Sequence, residues 1–359
     1  MSKLVVAQSF PISLESKLTP YTLVCSLFTA RLVRDRFNNF NKYSDFSWDT
    51  KKDPEINPCN LSISDLMDKR AQEFIKKSVT VQWSGGVDST ALLLALIKNG
   101  IAKDDLVIFY DVNSVEEFPK LYYWLRDNKY NLVHVTAWRK ALGSTQTDLI
   151  TNGWCADQLF GSMFFHKNPQ AYSFSLDRLF TNMELPLGKV TKGLKEETID
   201  AITQAGRNTF NLNITTAAQL GWFINFTMKW TWVSTFNELY LLSTPNLHKS
   251  KVFYNTPEFQ AWSLNNYEQI TNHNIYGSDA SNYKKPLKEY IYSIFPDKDY
   301  LINKTKKPSW NAASSVAKRD TPRITVKTTD SYEIFEVPNI LPEGAPQFYS
   351  DPFFTKFKK

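Results

Sequence analysis

The chain has 359 residues, of which 42% are hydrophobic and 14% aromatic, and its net charge is +6, with 42 Lys and Arg against 36 Asp and Glu. This composition supplies a substantial core and excludes global disorder. The charge suits an anionic small substrate, but it is too small and too dispersed to indicate a nucleic-acid partner by itself.

The spacing of cysteines and histidines bears on metal binding, and the apolar segments bear on the cellular location of the protein. Three cysteines and four histidines lack metal-ligand spacing, which argues against a metal held by thiolates or imidazoles and fits a reducing compartment. The apolar core within the first eight residues is too short for a signal peptide. Arg31 interrupts the apolar segment 21–33, so this segment is not expected to span a bilayer. We therefore expect a cytoplasmic protein with no membrane partner.

The predicted elements begin with a strand near residues 3–7, a helix over 21–40 and a polar stretch up to residue 60. Ser62 can cap a helix that reaches about residue 77. Apolar strands are predicted at 79–83, 104–111, 131–136 and 148–153. A helix follows the first strand, with Ser89 or Thr90 able to cap its first turn, and another covers 117–128. This alternation predicts right-handed βαβ units and a doubly wound parallel sheet, an α/β fold.

The second half of the chain has a different pattern. Residues 160–307 are mainly helical in pattern and rich in tryptophan and other aromatics, which favours helix–helix packing. Strand-like runs follow at 323–328 and 332–337. We therefore predict an N-terminal extension over 1–60, an α/β domain over 61–319 with a mainly helical C-terminal half, and a small ordered C-terminal tail over 320–359.

The most informative motif is the glycine loop, residues 84–89, which joins the first strand of the sheet to an apolar helix. Two adjacent glycines permit a tight turn and close approach to a ligand, and the helix start presents N–H groups and a positive dipole end to an anion. The loop resembles the SGGxDS loop with which ATP pyrophosphatases grip pyrophosphate. A strand-to-helix elbow without a ligand is the alternative. The predicted ATP-binding residues are Ser84, Gly85, Gly86, Asp88, Ser89 and Thr90.

A second loop, residues 152–157, follows the fourth predicted strand and contains Asp157. Ligands of open parallel sheets lie outside the carboxyl ends of the strands, so this loop and the glycine loop are expected to face each other. Asp88 and Asp157 could then hold Mg²⁺ against a triphosphate. The alternative role for Asp157 is to cap a helix that begins at Gln158.

Four segments resemble the synthetase domain of asparagine synthetases. The second loop, with Met163-Phe164-Phe165-His166-Lys167 after it, resembles a family signature in which Gly-Glu-Gly-(Ser/Ala)-Asp-Glu-Leu-Phe-Gly-Gly-Tyr leads into an aromatic-rich Phe-His-Lys helix end. Segment 251–255 resembles the family's Arg-Val-Pro-Phe-Leu-Asp segment. Segment 283–289 resembles its Lys-x-x-Leu-Arg-Glu helix. Segment 295–308 resembles its closing Leu-Pro and Arg-x-Lys-x-x-Phe motifs. The resemblance spans about residues 62–307, in the family's order.

The resemblance implies a PP-loop fold of the adenine nucleotide α hydrolase-like kind, with ATP and Mg²⁺ as cofactors. It implies an AMP-forming C–N ligase that adenylates a carboxylate on a small molecule or acceptor, releases pyrophosphate and transfers an amine, as in the related β-lactam synthetases. Lys284 is then the lysine that stabilises negative charge, and Asp157 joins it in the catalytic set. The remaining implied ATP-binding residues are Tyr110, Asp111 and Val112, which would bound the adenosine, and Asn152 and Gly153.

The chain departs from that family at two places. Ser2 stands where the family has the nucleophilic cysteine of a glutaminase domain, and too few residues precede Ser62 for such a domain. The amine is therefore expected as free ammonia, as ammonia from a separate glutaminase, or as an amino group on the acceptor. Trp154 aligns with a family glutamate, and tryptophan can neither accept a proton nor ligate magnesium.

Two other classes of function stay open. One is an ATP pyrophosphatase that modifies a nucleobase in RNA or DNA, which would need a contiguous basic face beside the ATP cleft. The other is a nucleotide-binding protein that has lost catalysis, an interpretation that Trp154 favours. ATP binding without pyrophosphate release would distinguish such a protein from an enzyme. The candidates for a basic face are Lys304, Lys306, Lys307, Lys318 and Arg319.

Overall fold

The computed structural model describes several stretches of the chain. They are residues 4–11, 19–26, 31–32, 35–37, 39–40, 58–161, 169–181, 184–185, 188–189, 191–230, 233–234, 246–272, 284–304, 323–327 and 332–336. Among these residues, no helix has both the length and the apolar character needed to cross a membrane.

The chain divides into two compact units, each built from separate stretches. The first contains Met1–Asp53, Ser173–Trp232 and Pro308–Lys359, and the second contains Pro54–Tyr172 and Val233–Lys307. The predicted N-terminal extension and C-terminal tail thus fall largely in the same unit. The stretch 173–232, which the sequence pattern alone assigns to the α/β domain, belongs to that first unit as well.

The first unit contains an antiparallel sheet whose strands come from both ends of the chain. Leu4–Pro11 lies between Arg323–Lys327 and Arg31–Leu32, and Tyr332–Glu336 pairs with the outer side of Arg323–Lys327. Strands predicted near 3–7, 323–328 and 332–337 are therefore confirmed. A short hairpin also pairs two-residue strands, Glu184–Leu185 with Gly188–Lys189.

The helices of the first unit follow the sequence less closely. The predicted helix over 21–40 is confirmed up to Ser26 but is wrong at Arg31–Leu32, which pairs with the end of the strand Leu4–Pro11. That pairing is a non-local contact, which local periodicity does not encode. The helices are Pro20–Ser26, Leu176–Thr181, Lys192–Phe210 and Ala217–Ile224, the last continuing into a π-helical turn at Asn225–Lys229.

Asp35 and Arg36 are buried charged residues of the first unit. The Asp35 carboxylate accepts hydrogen bonds from the backbone N–H of Phe37 at 3.0 Å and of Phe40 at 3.2 Å. Burial outweighs these bonds and raises the pKa of Asp35 to about 6. The Arg36 guanidinium lies 4.6 Å from the ring centroid of Phe226, a cation–π contact that favours burial of the charge.

The second unit contains a four-stranded, all-parallel sheet, and it is therefore of the α/β class. Spatial order is β3-β2-β1-β4, and Val81 of β1 lies opposite Ile108 of β2 and Thr151 of β4. All four predicted strands are confirmed with slightly narrower bounds. The strands are β1 (Val79–Gln82), β2 (Leu106–Tyr110), β3 (Asn131–His134) and β4 (Leu149–Thr151).

Helices connect and flank these strands, and their starts follow recognisable local signals. Ser62 caps the first helix as predicted, and Asp65 completes a capping box with it. The predicted helix over 117–128 is confirmed as Pro119–Asp127, which begins with Pro119, and a separate helix that the sequence pattern did not indicate, Val112–Glu117, precedes it. The helices are α1 (Ile63–Gln72), α2 (Val87–Lys98), α3 (Val112–Glu117), α4 (Pro119–Asp127), α5 (Trp138–Ser144), α6 (Ala156–Leu159), α7 (Pro257–Asn265), α8 (Tyr267–Thr271), α9 (Lys285–Ile294) and α10 (Lys298–Asn303).

Helix α2 is the central helix of the second unit. Its residues from Val87 to Leu96, apart from the half-buried Asp88, are buried, as expected for a helix that is apolar on all sides. It packs against α1, α9 and β1. The N-terminus of α2 is therefore held in a fixed position at the carboxyl end of β1.

The strand order places two loops side by side. The chain proceeds from β1 to β2 and β3 on one side, and β4 then pairs with the other side of β1. The loops after β1 and β4 therefore leave neighbouring strands at the same edge of the sheet. In open parallel sheets such a point of reversal is where ligands bind.

Candidate functional site

The glycine loop leads into α2 with Gly86 at the N-cap position, and no described side chain caps that helix start. The expectation that Ser89 or Thr90 caps the first turn is therefore wrong. Ser89 lies inside the turn, and its hydroxyl accepts a hydrogen bond from the Ser84 N–H at 3.1 Å. The Thr90 hydroxyl accepts from the Trp83 indole N–H at 3.0 Å in the core. A helix start without a side-chain cap keeps its dipole end available to an anion.

Only the first of the two loop glycines requires glycine. Gly85 has a φ of +73°, and a Cβ there would lie 2.4 Å from the carbonyl oxygen of Ser114. Gly86 has an extended φ of −72°, and a Cβ there would meet the Ser84 hydroxyl at an ordinary 3.4 Å. The sequence suggests a tight turn and a close approach to a ligand for both glycines. In the structure only Gly85 has the backbone conformation that such a turn requires.

The second loop lies against the glycine loop, as the strand order predicts. A Cβ on Gly153 would lie 2.8 Å from the Ser89 amide nitrogen and 2.9 Å from Asp88 Cβ. Asn152 is buried and accepts a hydrogen bond from the Trp154 N–H at 3.1 Å, which shapes the turn. Trp154 itself is half-buried. The absence of a side chain at Gly153 is what allows the two loops to touch.

Lys284 joins the two loops. Its ammonium lies 2.5 and 2.6 Å from the two carboxylate oxygens of Asp88 and 2.5 Å from Oδ1 of Asp157. The Lys284 side chain is 1% exposed, whereas those of Asp88 and Asp157 are 23% and 24% exposed. Three residues selected from distant segments of the sequence are thus in direct contact. The carboxylates reach solvent and the ammonium is enclosed behind them.

The electrostatics of this cluster keep the lysine charged. Burial alone would lower the pKa of Lys284, but the charges of Asp157 and Asp88 and their hydrogen bonds outweigh burial and raise that pKa above its usual value. The backbone of Lys284 is left-handed, with φ 47° and ψ 38°, a conformation that costs a non-glycine residue about 1 kcal/mol or more. The ion pairs hold the residue in that conformation.

Two carboxylates on facing loops fit a magnesium ion bound together with phosphates. Mg²⁺ is commonly held by one or two carboxylates, with substrate phosphates and water completing the shell. Asp88 and Asp157 supply that number, and both are partly exposed. Among the described residues no group of three or more His, Cys, Asp or Glu side chains forms a candidate metal site. The donor set therefore fits a metal that arrives with its phosphate ligands.

Two tyrosines that the sequence analysis did not select contact the same loop. The Tyr254 hydroxyl donates to the Asp88 carbonyl at 2.9 Å, and the Tyr300 hydroxyl donates to the Gly85 carbonyl at 3.3 Å. Burial raises the pKa of both phenols, so both remain donors at neutral pH. Tyr254 lies in the segment 251–255 that resembles the asparagine synthetases, but nothing in that match indicates its hydroxyl.

The segment before Tyr254 runs beside β4. Lys251 N–H donates to the Ile150 carbonyl at 2.8 Å, and Ile150 forms a parallel bridge with Ser250. The buried Arg70 guanidinium donates to the carbonyls of Val252 and Phe253 at 3.1 and 2.9 Å. These bonds fix the direction in which the chain enters the site.

The residues predicted to bound adenosine lie at the carboxyl end of β2. Tyr110 lies with its ring centroid 5.1 Å from that of Tyr122, and the hydrogen bond to Tyr122, with burial, raises the pKa of Tyr110 to about 12. Asp111 caps α3 through Ser114, whose hydroxyl also donates to the Trp83 carbonyl at 2.8 Å. Val112 is 60% exposed. Asp111 is thus linked through the Ser114 side chain to Trp83, the residue before the glycine loop.

The candidates for a basic face have only one described member. Lys304 is buried and paired with the Glu117 carboxylate, so it does not contribute to an exposed basic surface. Lys306, Lys307, Lys318 and Arg319 lie outside the described residues, as do Tyr283 and the segment 163–168 used in the family resemblance.

No family model matches the chain, and no curated protein matches it.

Proposed function

We propose that this protein is an ATP-dependent ligase with an asparagine synthetase-like PP-loop fold, which adenylates a carboxylate, releases pyrophosphate and transfers an amine to the acyl group. The observation that carries the proposal is the contact of Lys284 with both Asp88 and Asp157. These residues are the lysine and the two carboxylates selected from three separate motifs. Their contact lies beside the N-terminus of α2, where an anion is favoured.

The loop backbone would bind the pyrophosphate portion of ATP. The turn at Gly85 brings backbone close to the ligand, and the first turn of α2 supplies amides and a positive dipole end. Ser84, which is exposed, would add a hydroxyl. Tyr110 and Val112 at the end of β2 would bound the adenosine.

The charged cluster would act on the reacting phosphate. Asp88 and Asp157 would hold magnesium, which supplies Lewis-acid stabilisation of phosphate charge. Lys284 orients both carboxylates and adds a fixed positive charge close to them. Preorganised charge of this kind stabilises charge that develops in the transition state without reorganisation.

Trp154 supports a second candidate function, a nucleotide-binding protein without turnover. It is half-buried in the loop next to Asp157, where the resembled family has a glutamate. An indole cannot take the proton that an attacking amine must lose. In the ligase, that proton would pass to the acceptor, to solvent or to another group.

An exchange assay separates these possibilities. We expect incorporation of radiolabelled pyrophosphate into ATP that depends on Mg²⁺ and on an added carboxylate, screened from a panel of amino acids and small carboxylic acids. AMP and pyrophosphate should appear when ammonia or another amine is added. Coupled formation of ADP and phosphate would exclude adenylation. Binding of ATP without exchange across the panel would favour the second candidate.

A further inference from the structure

Two buried tyrosine hydroxyls reach the backbone of the glycine loop from the protein interior. Tyr300 donates to the Gly85 carbonyl at 3.3 Å and Tyr254 donates to the Asp88 carbonyl at 2.9 Å. Both tyrosines are buried, whereas Ser84 in the same loop is exposed. Both carbonyls are therefore held on the side of the loop that faces the protein interior.

The direction of each carbonyl determines the direction of the next amide. In a planar trans peptide, the C=O bond and the N–H bond of the following residue point to opposite sides. A hydroxyl that draws the Gly85 carbonyl inward therefore turns the Gly86 N–H outward, where it donates to the exposed Ser84 hydroxyl at 3.4 Å. The Asp88–Ser89 peptide lies in the first turn of α2, so the helix sets the direction of the Ser89 N–H, and the Tyr254 hydroxyl anchors that turn through the Asp88 carbonyl. A side chain at Gly153 would cover that second amide, since its Cβ would lie 2.8 Å from the nitrogen.

Both tyrosines are themselves held rigidly. The ring of Tyr300 stacks on Phe118 with centroids 3.9 Å apart, and α10, which contains Tyr300, is capped by Asp297. Tyr254 follows a segment that Arg70 fixes through two carbonyls. The hydroxyls are thus donors at fixed positions. Loss of the Tyr300 hydroxyl frees the Gly85–Gly86 peptide to rotate, and loss of the Tyr254 hydroxyl loosens the first turn of α2.

We propose that Tyr254 and Tyr300 are positioning residues that aim the Ser89 and Gly86 amides at the phosphates of a bound nucleotide or at free pyrophosphate. This inference rests on the proposed function, because it takes the glycine loop to be the phosphate site. Neither hydroxyl needs to touch the ligand, since each acts through the peptide whose carbonyl it binds. The chemical class recognised is a polyphosphate anion.

Calorimetric titration with sodium pyrophosphate tests the inference. Tyr300→Phe and Tyr254→Phe keep the rings and remove only the hydroxyls. Each variant should bind pyrophosphate about tenfold more weakly, the scale of one hydrogen bond. The matched control is Tyr290→Phe, which removes a buried hydroxyl that donates to Asp68 at 2.6 Å. Its affinity should stay within about twofold of the wild type, although it loses a comparable bond.

A spectroscopic measurement distinguishes positioning from a general loss of structure. The chain has 12 glycines, so selective ¹⁵N-glycine labelling gives few amide signals, and Gly86→Ala identifies that of Gly86. Saturating pyrophosphate should shift the Gly86 signal in the wild type and in Tyr290→Phe. The shift should be clearly smaller in Tyr300→Phe, with the spectrum otherwise folded.

The possible failures are distinct. If the wild type binds neither pyrophosphate nor ATP, the proposed function fails and the inference fails with it. If the wild type binds but both tyrosine variants keep its affinity and its Gly86 shift, the positioning role is overturned and the site stands. Thermal unfolding of each variant checks folding. Should one variant not fold, the other decides by the same criteria.

Discussion

The Lys284 ammonium lies 2.5 Å from Oδ1 of Asp88, although 196 positions separate the two residues in the chain. The same ammonium contacts Asp157, so a single buried cation pairs with two carboxylates on adjacent loops. Removal of the lysine leaves two like charges side by side, whereas removal of one carboxylate leaves the lysine paired with the other. The three positions are therefore expected to differ in their mutational effects.

Lys284→Ala should reduce turnover far more than ATP affinity. A cation that acts on charge appearing only as the adenylate forms or is attacked stabilises the transition state selectively, and its loss should cost about a hundredfold in rate. The variant should also lose about 3 kcal/mol of unfolding free energy, because it breaks a buried ion pair. Steady-state kinetics and chemical denaturation measure the two effects.

Lys285→Ala is the matched control for that variant. The Lys285 side chain is 56% exposed and pairs with Glu289 only at 3.8 Å, so its loss should change stability by less than about 0.5 kcal/mol. Lys288 is unsuitable as a control, because it is buried and donates to the Lys304 carbonyl. Equal activity of Lys284→Ala and Lys285→Ala would contradict the catalytic role.

Gly85→Ala and Gly86→Ala should behave differently. Gly85 has a positive φ, and a methyl group there would lie 2.4 Å from a backbone oxygen and 2.5 Å from Glu117 Cβ. We expect a loss of about 2 kcal/mol or more in unfolding free energy and loss of ATP binding. Gly86→Ala should fold with near wild-type stability, since its methyl group meets only an ordinary contact. Equal stability of the two variants, measured by urea unfolding, would refute this distinction.

Asp88→Asn should weaken the binding of magnesium-ATP by at least about tenfold, because it removes a charged oxygen ligand while keeping the side-chain shape. Asp148→Asn is a suitable control. Asp148 precedes β4 and binds Ser78 at the opposite edge of the sheet. Its substitution should leave affinity unchanged in a calorimetric titration. A parallel loss in both variants would indicate a general structural effect.

The first unit should lose stability as the pH rises from about 4 to 6. Burial raises the pKa of Asp35 from 3.8 to about 6, so in this range the folded state binds a proton that the unfolded state has released. Stability is then present below pH 3.8 and lost as the pH passes the folded pKa. A pKa difference of about 2 corresponds to roughly 3 kcal/mol.

Asp35→Asn removes that titration and retains one oxygen acceptor, which can serve the N–H of Phe37 or of Phe40 but not both, because the two amides bind different carboxylate oxygens. The variant should therefore show a flatter dependence of unfolding temperature on pH between 4 and 6 than the wild type. Identical profiles for the two proteins would mean that Asp35 titrates at its ordinary pKa.

The sequence predicts the sheet of the second unit well because its strands are short apolar runs, and because Ser62 and Asp65 mark a helix start that depends on local contacts. It also selects Asp88, Asp157 and Lys284, since each lies in a recognisable motif. It does not reveal Tyr254 and Tyr300, whose hydroxyls matter only where a distant carbonyl comes within reach. Local pattern likewise fails at Arg31–Leu32, where pairing with a distant strand decides the conformation, and at α5, which no motif indicates.

The second unit is assembled from two stretches of chain, Pro54–Tyr172 and Val233–Lys307. During synthesis the whole parallel sheet, with Asp88 and Asp157, is made well before Lys284. The nascent chain therefore holds two neighbouring carboxylates whose shared cation does not yet exist, and closing that contact carries the entropy cost of a long loop. The scaffold can form before the contact of Lys284 with both carboxylates, which requires residue 284 to have been made.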